Sequence, residues 1–150
     1  MAHSYVNSLF HCTWSTKERQ PLLTGDLQDR LWPYVGGIAR TNAMTALAVG
    51  GVEDHIHVLL SLPSTMAIAK AVQLIKGGSS KWVHDNFPNL REFAWQEGYG
   101  AFSIGTSQMG VTVAYIHNQT EHHRRKSCQE EFLSFLRKHG IEYDPRFVWG

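Results

Sequence analysis

The chain is poor in cysteine: only Cys12 and Cys128 occur among its 150 residues, far apart and in no CxxC or other metal-ligand spacing. That excludes a disulfide framework and a zinc-finger fold, and suits two reduced thiols inside a cell. It also lacks excess charge. With a formal net charge of +1, no global basicity advertises nucleic acid, so any such surface must be local. No apolar run approaches the roughly 18 residues that span a bilayer. The stretch MAHSYVNSLFHCTWSTKERQ lacks the long apolar core of a signal peptide. The expectation is a cytoplasmic protein with no membrane partner. No repeat, low-complexity tract or linker divides the sequence, and its length suits one domain, 1–150, around one core.

Histidine, by contrast, is plentiful: nine residues, enough to make metal or acid–base chemistry worth pursuing. Residues 5–14, YVNSLFHCTW, are β-branched and aromatic with partial alternation, which predicts a strand. In LTGDLQDRLWPYVGGIARTN, Leu27, Leu31, Val35 and Ile38 recur at helical spacing, a pattern that Pro33 and Gly36–Gly37 weaken without cancelling. MTALAVGGVEDHIHVLLSL is two apolar runs around a turn, a hairpin signature. After Pro63 a helix follows, capped at Ser64 or Thr65 and interrupted at Gly77–Gly78, then a strand from Tyr99 to Ile104. A helix from Met109 to about His123 and a short one in EEFLSFLRKHG, ending at Gly140, close the chain. The order β-α-β-β-α-β plus helices predicts an α+β, ferredoxin-like fold, with a four-stranded antiparallel sheet and the two long helices on one face.

Within that order, VEDHIHVLLSL sets two histidines one residue apart in an apolar strand. Side chains alternate along a strand, so His55 and His57 share a face, while Ile56, Val58, Leu60 and Leu62 fill the other. Their spacing lets two imidazoles converge on one ion. Two ligands do not complete a site, because even catalytic zinc takes three from the protein. Alone, an HxH pair is as readily two hydrogen-bonded surface histidines.

The late helix VTVAYIHNQTEHHRRK offers the complement. Tyr115 and Gln119 lie about 40° apart on one helical face, with His122 near the same stripe. Gln119 can supply a carbonyl oxygen as third ligand, and Tyr115 stands one turn away as a nucleophile. A phenol with pKa near 10 is a poor nucleophile at neutral pH. It suits phosphoryl transfer when a cation screens the phosphate, and an ester intermediate conserves bond energy for rejoining.

With these residues on the page, the sequence resembles the single-tyrosine HUH transposases of bacterial insertion sequences and their REP-associated tyrosine transposase relatives. The resemblance rests on His55-Ile56-His57, on Tyr115 and Gln119 in YIHNQ, and on the contexts YGAFSIGTSQMGVTVAYIHNQTEHHRR and GIEYDPRFVW. It implies that His55, His57 and Gln119 hold Mg²⁺ or Mn²⁺, with His122 supporting them. Tyr115 would attack a phosphate of single-stranded DNA, leaving a 5′-phosphotyrosine and a free 3′-OH. It further implies recognition of DNA hairpins near element ends, and a homodimer in which the tyrosine helix of one subunit completes the other's site.

Candidate DNA contacts are Arg124 and Arg125 in HHRRK, and Lys76 and Lys81 around GGSS. Trp82, Trp95 and Tyr99 are as readily core aromatics as stacking platforms for bases. A histidine-triad nucleotide hydrolase is disfavoured, because Leu59 stands where a third histidine would. A non-catalytic or domesticated nucleic-acid-binding protein of the same fold stays open as the alternative.

Overall fold

A computed structural model describes residues 3–123, 126–146 and 148, with the backbone alone at His122. The elements are β1 (Leu9–Ser15), α1 (Gly25–Thr41), β2 (Thr45–Val52), β3 (His55–Ser61), α2 (Ile68–Asn86), β4 (Gly100–Ile104), α3 (Met109–His117), α4 (Gln119–His122) and α5 (Cys128–Lys138). The sheet order is β2-β3-β1-β4, antiparallel throughout. Each helical crossover therefore joins two strands that flank a third, the split βαβ arrangement expected from the sequence.

The alternation of β1 and β3 decides what each face carries. Cys12 and Trp14 of β1, with Ile56, Val58 and Leu60 of β3, join the core beneath α1 and α2. That core also takes Leu27, Leu31, Val35 and Ala39, one residue from each turn of α1. Pro33 sits on the solvent side of α1, where its missing N–H is tolerated. The opposite parity sends His11, Thr13, His55, His57 and Leu59 to the other face, under α3, α4 and α5. The dry side and the chemical side of the sheet are thus set by strand parity alone.

Two expectations about α2 fail. The helix begins at Ile68 without a side-chain cap, because Pro63–Met66 is spent in a turn in which the Met66 N–H bonds the Pro63 carbonyl at 3.1 Å. It also runs unbroken through Gly77–Gly78. A Cβ on Gly78 would stand 3.0 Å from Cδ1 of Ile38, so glycine there lets α2 approach α1.

The C-terminal helices depart from the predicted bounds as well. The single helix expected from Met109 to His123 divides at Asn118, with φ −109° and ψ 30°. There the Tyr115 carbonyl accepts from the Asn118 N–H at 3.3 Å and from the Gln119 side-chain amide at 3.1 Å, a tighter turn replacing the regular ladder. Helix α5 starts two residues before EEFLSFLRKHG. Ser127 caps it, its Oγ accepting from the Glu130 N–H at 3.1 Å, with acidic residues in the first turn and Arg137 and Lys138 in the last.

One residue seats α3. A Cβ on Gly50 would lie 2.4 Å from the Ile116 carbonyl oxygen, so only glycine lets the α3 backbone rest on β2 at this point. Gly50 pairs with His57 across the sheet, which brings the tyrosine helix down beside the histidine strand.

Candidate active site

Strand β3 presents His55 and His57 side by side, both fully buried, their ring centroids 5.2 Å apart. The Nδ1 atom of each is occupied. His55 Nδ1 lies 2.7 Å from Asp54 Oδ1, and His57 Nδ1 lies 2.7 Å from Nε2 of His11 on β1. Both Nε2 atoms are left to face inward, the orientation that outer partners impose on metal-binding imidazoles.

The inward space is closed by side chains from α3, α4 and α5. Gln119, 1% exposed, puts Oε1 3.4 Å from His55 Nε2 and 3.1 Å from His123 Nε2. Glu131 enters from α5, with Oε1 2.8 Å from His57 Nε2 and 3.5 Å from His55 Nε2. Its Oε2 lies 3.4 Å from His123 Nε2 and accepts a hydrogen bond from the Tyr115 hydroxyl. The phenol ring meets His57 edge-on at 5.8 Å. His55, His57, Tyr115 and Gln119, separated by up to 64 positions in sequence, thus meet around one carboxylate.

Charge follows from these contacts. Burial would depress His55, but Asp54, Cys128 and Glu131 outweigh it and push its pKa up to about 12. His57, though closer to Glu131, is held low by complete burial, helped by the charges of His55 and His123. Burial and the neighbouring His57 lower His11 to about 3, which keeps it neutral beside His57 Nδ1. Burial also favours a protonated Glu131, but His123, His55 and His57 overcome this and hold it well below the usual carboxylate range. Tyr115 is raised above the ordinary phenol value by burial and by Glu131, so it rests as a phenol.

One ligand atom each from His55, His57, His123 and Glu131 lies within 4.8 Å of the others, and this cluster can hold a metal ion. The donors fit a divalent cation, since three imidazole nitrogens and a buried carboxylate oxygen converge on one place. Imidazole nitrogen suits Mn²⁺ better than Mg²⁺, which prefers an all-oxygen shell.

Other candidates from the sequence fall elsewhere. Lys76 and Lys81 lie on α2, against the opposite face of the sheet, and do not join the histidines. Lys76 Nζ donates to the carbonyls of Gln96 and Gly98 at 2.6 and 2.8 Å, and Lys81 pairs with Asp85 at 2.7 Å. Trp95 is core, 8% exposed, while Trp82 stacks on Tyr34 at 4.8 Å and Tyr99 is 37% exposed. Arg124, Arg125 and the side chain of His122 lie outside the described residues. Among the described side chains of that segment, His123 reaches the cluster; it follows Gln119 by four residues, a spacing visible in the sequence. Glu131 had no such signal, because an acidic residue in the first turn of a helix is ordinary. Among the described residues, no helix is long and apolar enough to cross a membrane.

The sequence profile of the IS200-like transposases matches residues 4–119. The chain belongs to that family. It is 33% identical over 121 residues to the ISDra2 transposase TnpA of Deinococcus radiodurans, covering 77% of this chain and 86% of that one. It is 26% identical over 127 residues to the IS200 transposase of Salmonella typhimurium, covering 81% and 82%. A crystal structure from D. radiodurans R1, described as a transposase, superposes with a TM-score of 0.65 at 26% identity over 79% of this chain and 96% of that one. A REP-associated tyrosine transposase bound to a REP hairpin shares the fold, with a TM-score of 0.59 at 20% identity over 82% and 73%. The family match includes His55, His57, Tyr115 and Gln119 and ends before His123 and Glu131.

Proposed function

We propose that this IS200-family transposase cleaves and rejoins single-stranded DNA at hairpin-marked element ends through a 5′-phosphotyrosine. The observation that carries the reading is the convergence of the Tyr115 hydroxyl with His55, His57 and Gln119 around Glu131. His55, His57 and Gln119 would hold Mg²⁺ or Mn²⁺, with His123 and Glu131 as further donors. A bound divalent cation supplies Lewis-acid polarisation of a phosphoryl oxygen and offsets its charge.

Tyr115 is protonated at rest, so attack requires its proton to leave. Glu131 Oε2 already accepts the hydroxyl hydrogen bond and is the nearest acceptor. The phenolic oxygen then bonds phosphorus, the bond from phosphorus to the 3′-oxygen breaks, and that oxygen takes a proton to become the free 3′-OH. Rejoining reverses the sequence. Because the ester conserves the bond energy, no external energy source is required. The REP-hairpin complex of a protein with the same fold supports a hairpin as the DNA partner. A homodimer belongs to the proposal; Tyr115 here faces its own subunit's cluster, and action on the partner's site would require α3 and α4 to lift from β2.

The test is incubation with labelled hairpin DNA and Mn²⁺, followed by a search for an adduct stable to denaturant. Tyr115→Phe should abolish the adduct with the fold intact. Mixing Tyr115→Phe with His57→Ala restores activity only if the tyrosine serves a partner subunit. Metal-independent binding with no adduct on any hairpin would favour a non-catalytic or domesticated DNA-binding protein.

A further inference from the structure

A cavity of about 110 Å³ opens beside the catalytic cluster on the side that Tyr115 does not border. Thr13, Ser15, Glu18, Arg19, Gln96 and Glu131 are among its lining residues. Its wall is the turn between β1 and α1, which holds two consecutive non-glycine residues at positive φ: Glu18 at 58° and Arg19 at 54°. Side chains rarely adopt that conformation, and it persists only where the surroundings over-determine it. Here they do. Thr16, fully buried, bonds the Asp54 carbonyl through its N–H at 2.9 Å and the Gln20 carbonyl through its Oγ1 at 2.7 Å. Lys17 N–H bonds the Ala94 carbonyl at 2.9 Å.

The clamped turn aims Arg19 at α5. Its Nη2 lies 3.0 Å from the side-chain amide of Gln129, which accepts from the guanidinium once the amide is turned to present its oxygen. On the far side of the cavity Gln96 is fixed by the Ser15 N–H, which donates to its Oε1 at 2.6 Å, and by Lys76, which donates to its carbonyl at 2.6 Å. A cation on a clamped turn, the fixed Gln96 side chain and a shared wall with Glu131 make a built recess, one that the chemistry described above leaves unused.

We infer that this recess is a subsite for the nucleotide on the leaving side of the scissile phosphate, with Arg19 gripping that nucleotide's own phosphate. The inference rests on the strand-transfer reading. In an in-line displacement the leaving oxygen departs opposite the attacking one. Tyr115 reaches Glu131 from α3, whereas the recess meets Glu131 from the β1–α1 turn, so the leaving nucleotide falls into it. The guanidinium fork matches a phosphate bidentately. Glu18 offers an acceptor to a donor on a base edge. A strand transferase has reason to hold this nucleotide, because its free 3′-OH must stay in place to be rejoined.

Binding tests the subsite without any cleavage. In a Tyr115→Phe background, labelled short single-stranded oligothymidylate is titrated at several salt concentrations. Arg19→Ala should weaken binding roughly ten-fold and flatten the log–log salt dependence by about 0.7, the share of one phosphate contact on a single strand. Arg19→Lys should keep the salt slope and recover part of the affinity. Unchanged affinity and slope in Arg19→Ala, with an intact fold, would overturn the subsite whatever the cleavage assay shows. On a hairpin that the wild type cleaves, single methylphosphonates are then walked across the cleavage point. Arg19→Ala should lose sensitivity only at the phosphate immediately 5′ of the leaving nucleotide, and uniform sensitivity at every position would refute the assignment. Absence of adduct from wild-type protein counts against the transposition reading alone.

Discussion

The Tyr115 hydroxyl donates to Oε2 of Glu131, joining a helix that rests on β2 to one that packs over β4 through Phe132 and Phe135. The other oxygen of the same carboxylate sits 2.8 Å from His57 Nε2. Nucleophile and metal cradle are therefore not independent parts. Whatever moves Glu131 moves both, and its replacement should be felt in each.

Glu131→Gln keeps the shape and removes the charge. If Glu131 is a metal donor, Mn²⁺ binding measured by isothermal titration calorimetry should weaken by at least about ten-fold, the scale set by losing even an outer partner of a metal site. The adduct assay should slow in parallel, because the phenol also loses its proton acceptor. Unaltered Mn²⁺ affinity would remove Glu131 from the donor set.

Metal uptake should also release a proton. Against the effect of burial, Asp54, Cys128 and Glu131 push His55 up to about 12, so at pH 7 it carries a proton that a ligating imidazole cannot keep. Apparent affinity should rise about ten-fold per pH unit between pH 6 and 8, and calorimetric enthalpies should differ between buffers of different ionisation enthalpy by about one proton's worth. In the same titrations Mn²⁺ should bind the free protein more tightly than Mg²⁺, which gains affinity when a DNA phosphate adds an oxygen ligand. Tight Mg²⁺ binding without DNA would contradict the donor argument.

Acid stability should depend on His11. Its pKa falls from 6.5 to about 3 on folding, so between those values the unfolded chain binds the extra proton and stability declines as pH drops below 6.5. His57 is shifted in the same direction. Glu131, held low by its histidines, adds its own loss only once pH falls below its ordinary value of 4.5. Between pH 6.5 and 5 the His11 contribution is about 2 kcal/mol. His11→Gln retains a hydrogen-bonding partner for His57 Nδ1 and should flatten this limb in metal-free denaturation profiles. An unchanged slope would mean that His11 is not held neutral.

Parity explains how much of this could be read in advance. The alternation of Ile56, Val58 and Leu60 with His55 and His57 fixes both faces of β3, so the order of elements and the histidine pair were legible. The i,i+4 spacing of Tyr115 and Gln119 was legible for the same reason, being local. What was not legible depends on contacts between distant segments. Splitting the last long helix at Asn118 brings His123 to the cluster, whereas a straight helix would favour His122. Glu131 gains its meaning only from where α5 docks. Gly77–Gly78 look like a helix break until α1 is placed against them, and nothing local in the sequence tells that Lys76 and Lys81 stand on the face opposite the histidines.

The seat of α3 supplies the last prediction. Any Cβ at Gly50 meets the Ile116 carbonyl oxygen at 2.4 Å, backbone against backbone, so no rotamer change relieves the clash. Gly50→Val must lift α3 from β2, and Ile116, 1% exposed, leaves its small cluster with Ala48 and Leu59. Overpacking of this kind costs about 1–3 kcal/mol, which thermal denaturation will register as a lower midpoint. The histidines on β3 stay anchored by β1, through pairing of Ser15 with His55 and Thr13 with His57, so the imidazole pair should persist. The expected variant is folded, still binds Mn²⁺ through its remaining donors with reduced affinity, and forms little adduct because Tyr115 no longer reaches the cluster. A Gly50→Val protein with wild-type adduct yield would show that the placement of α3 on β2 does not govern where the phenol acts.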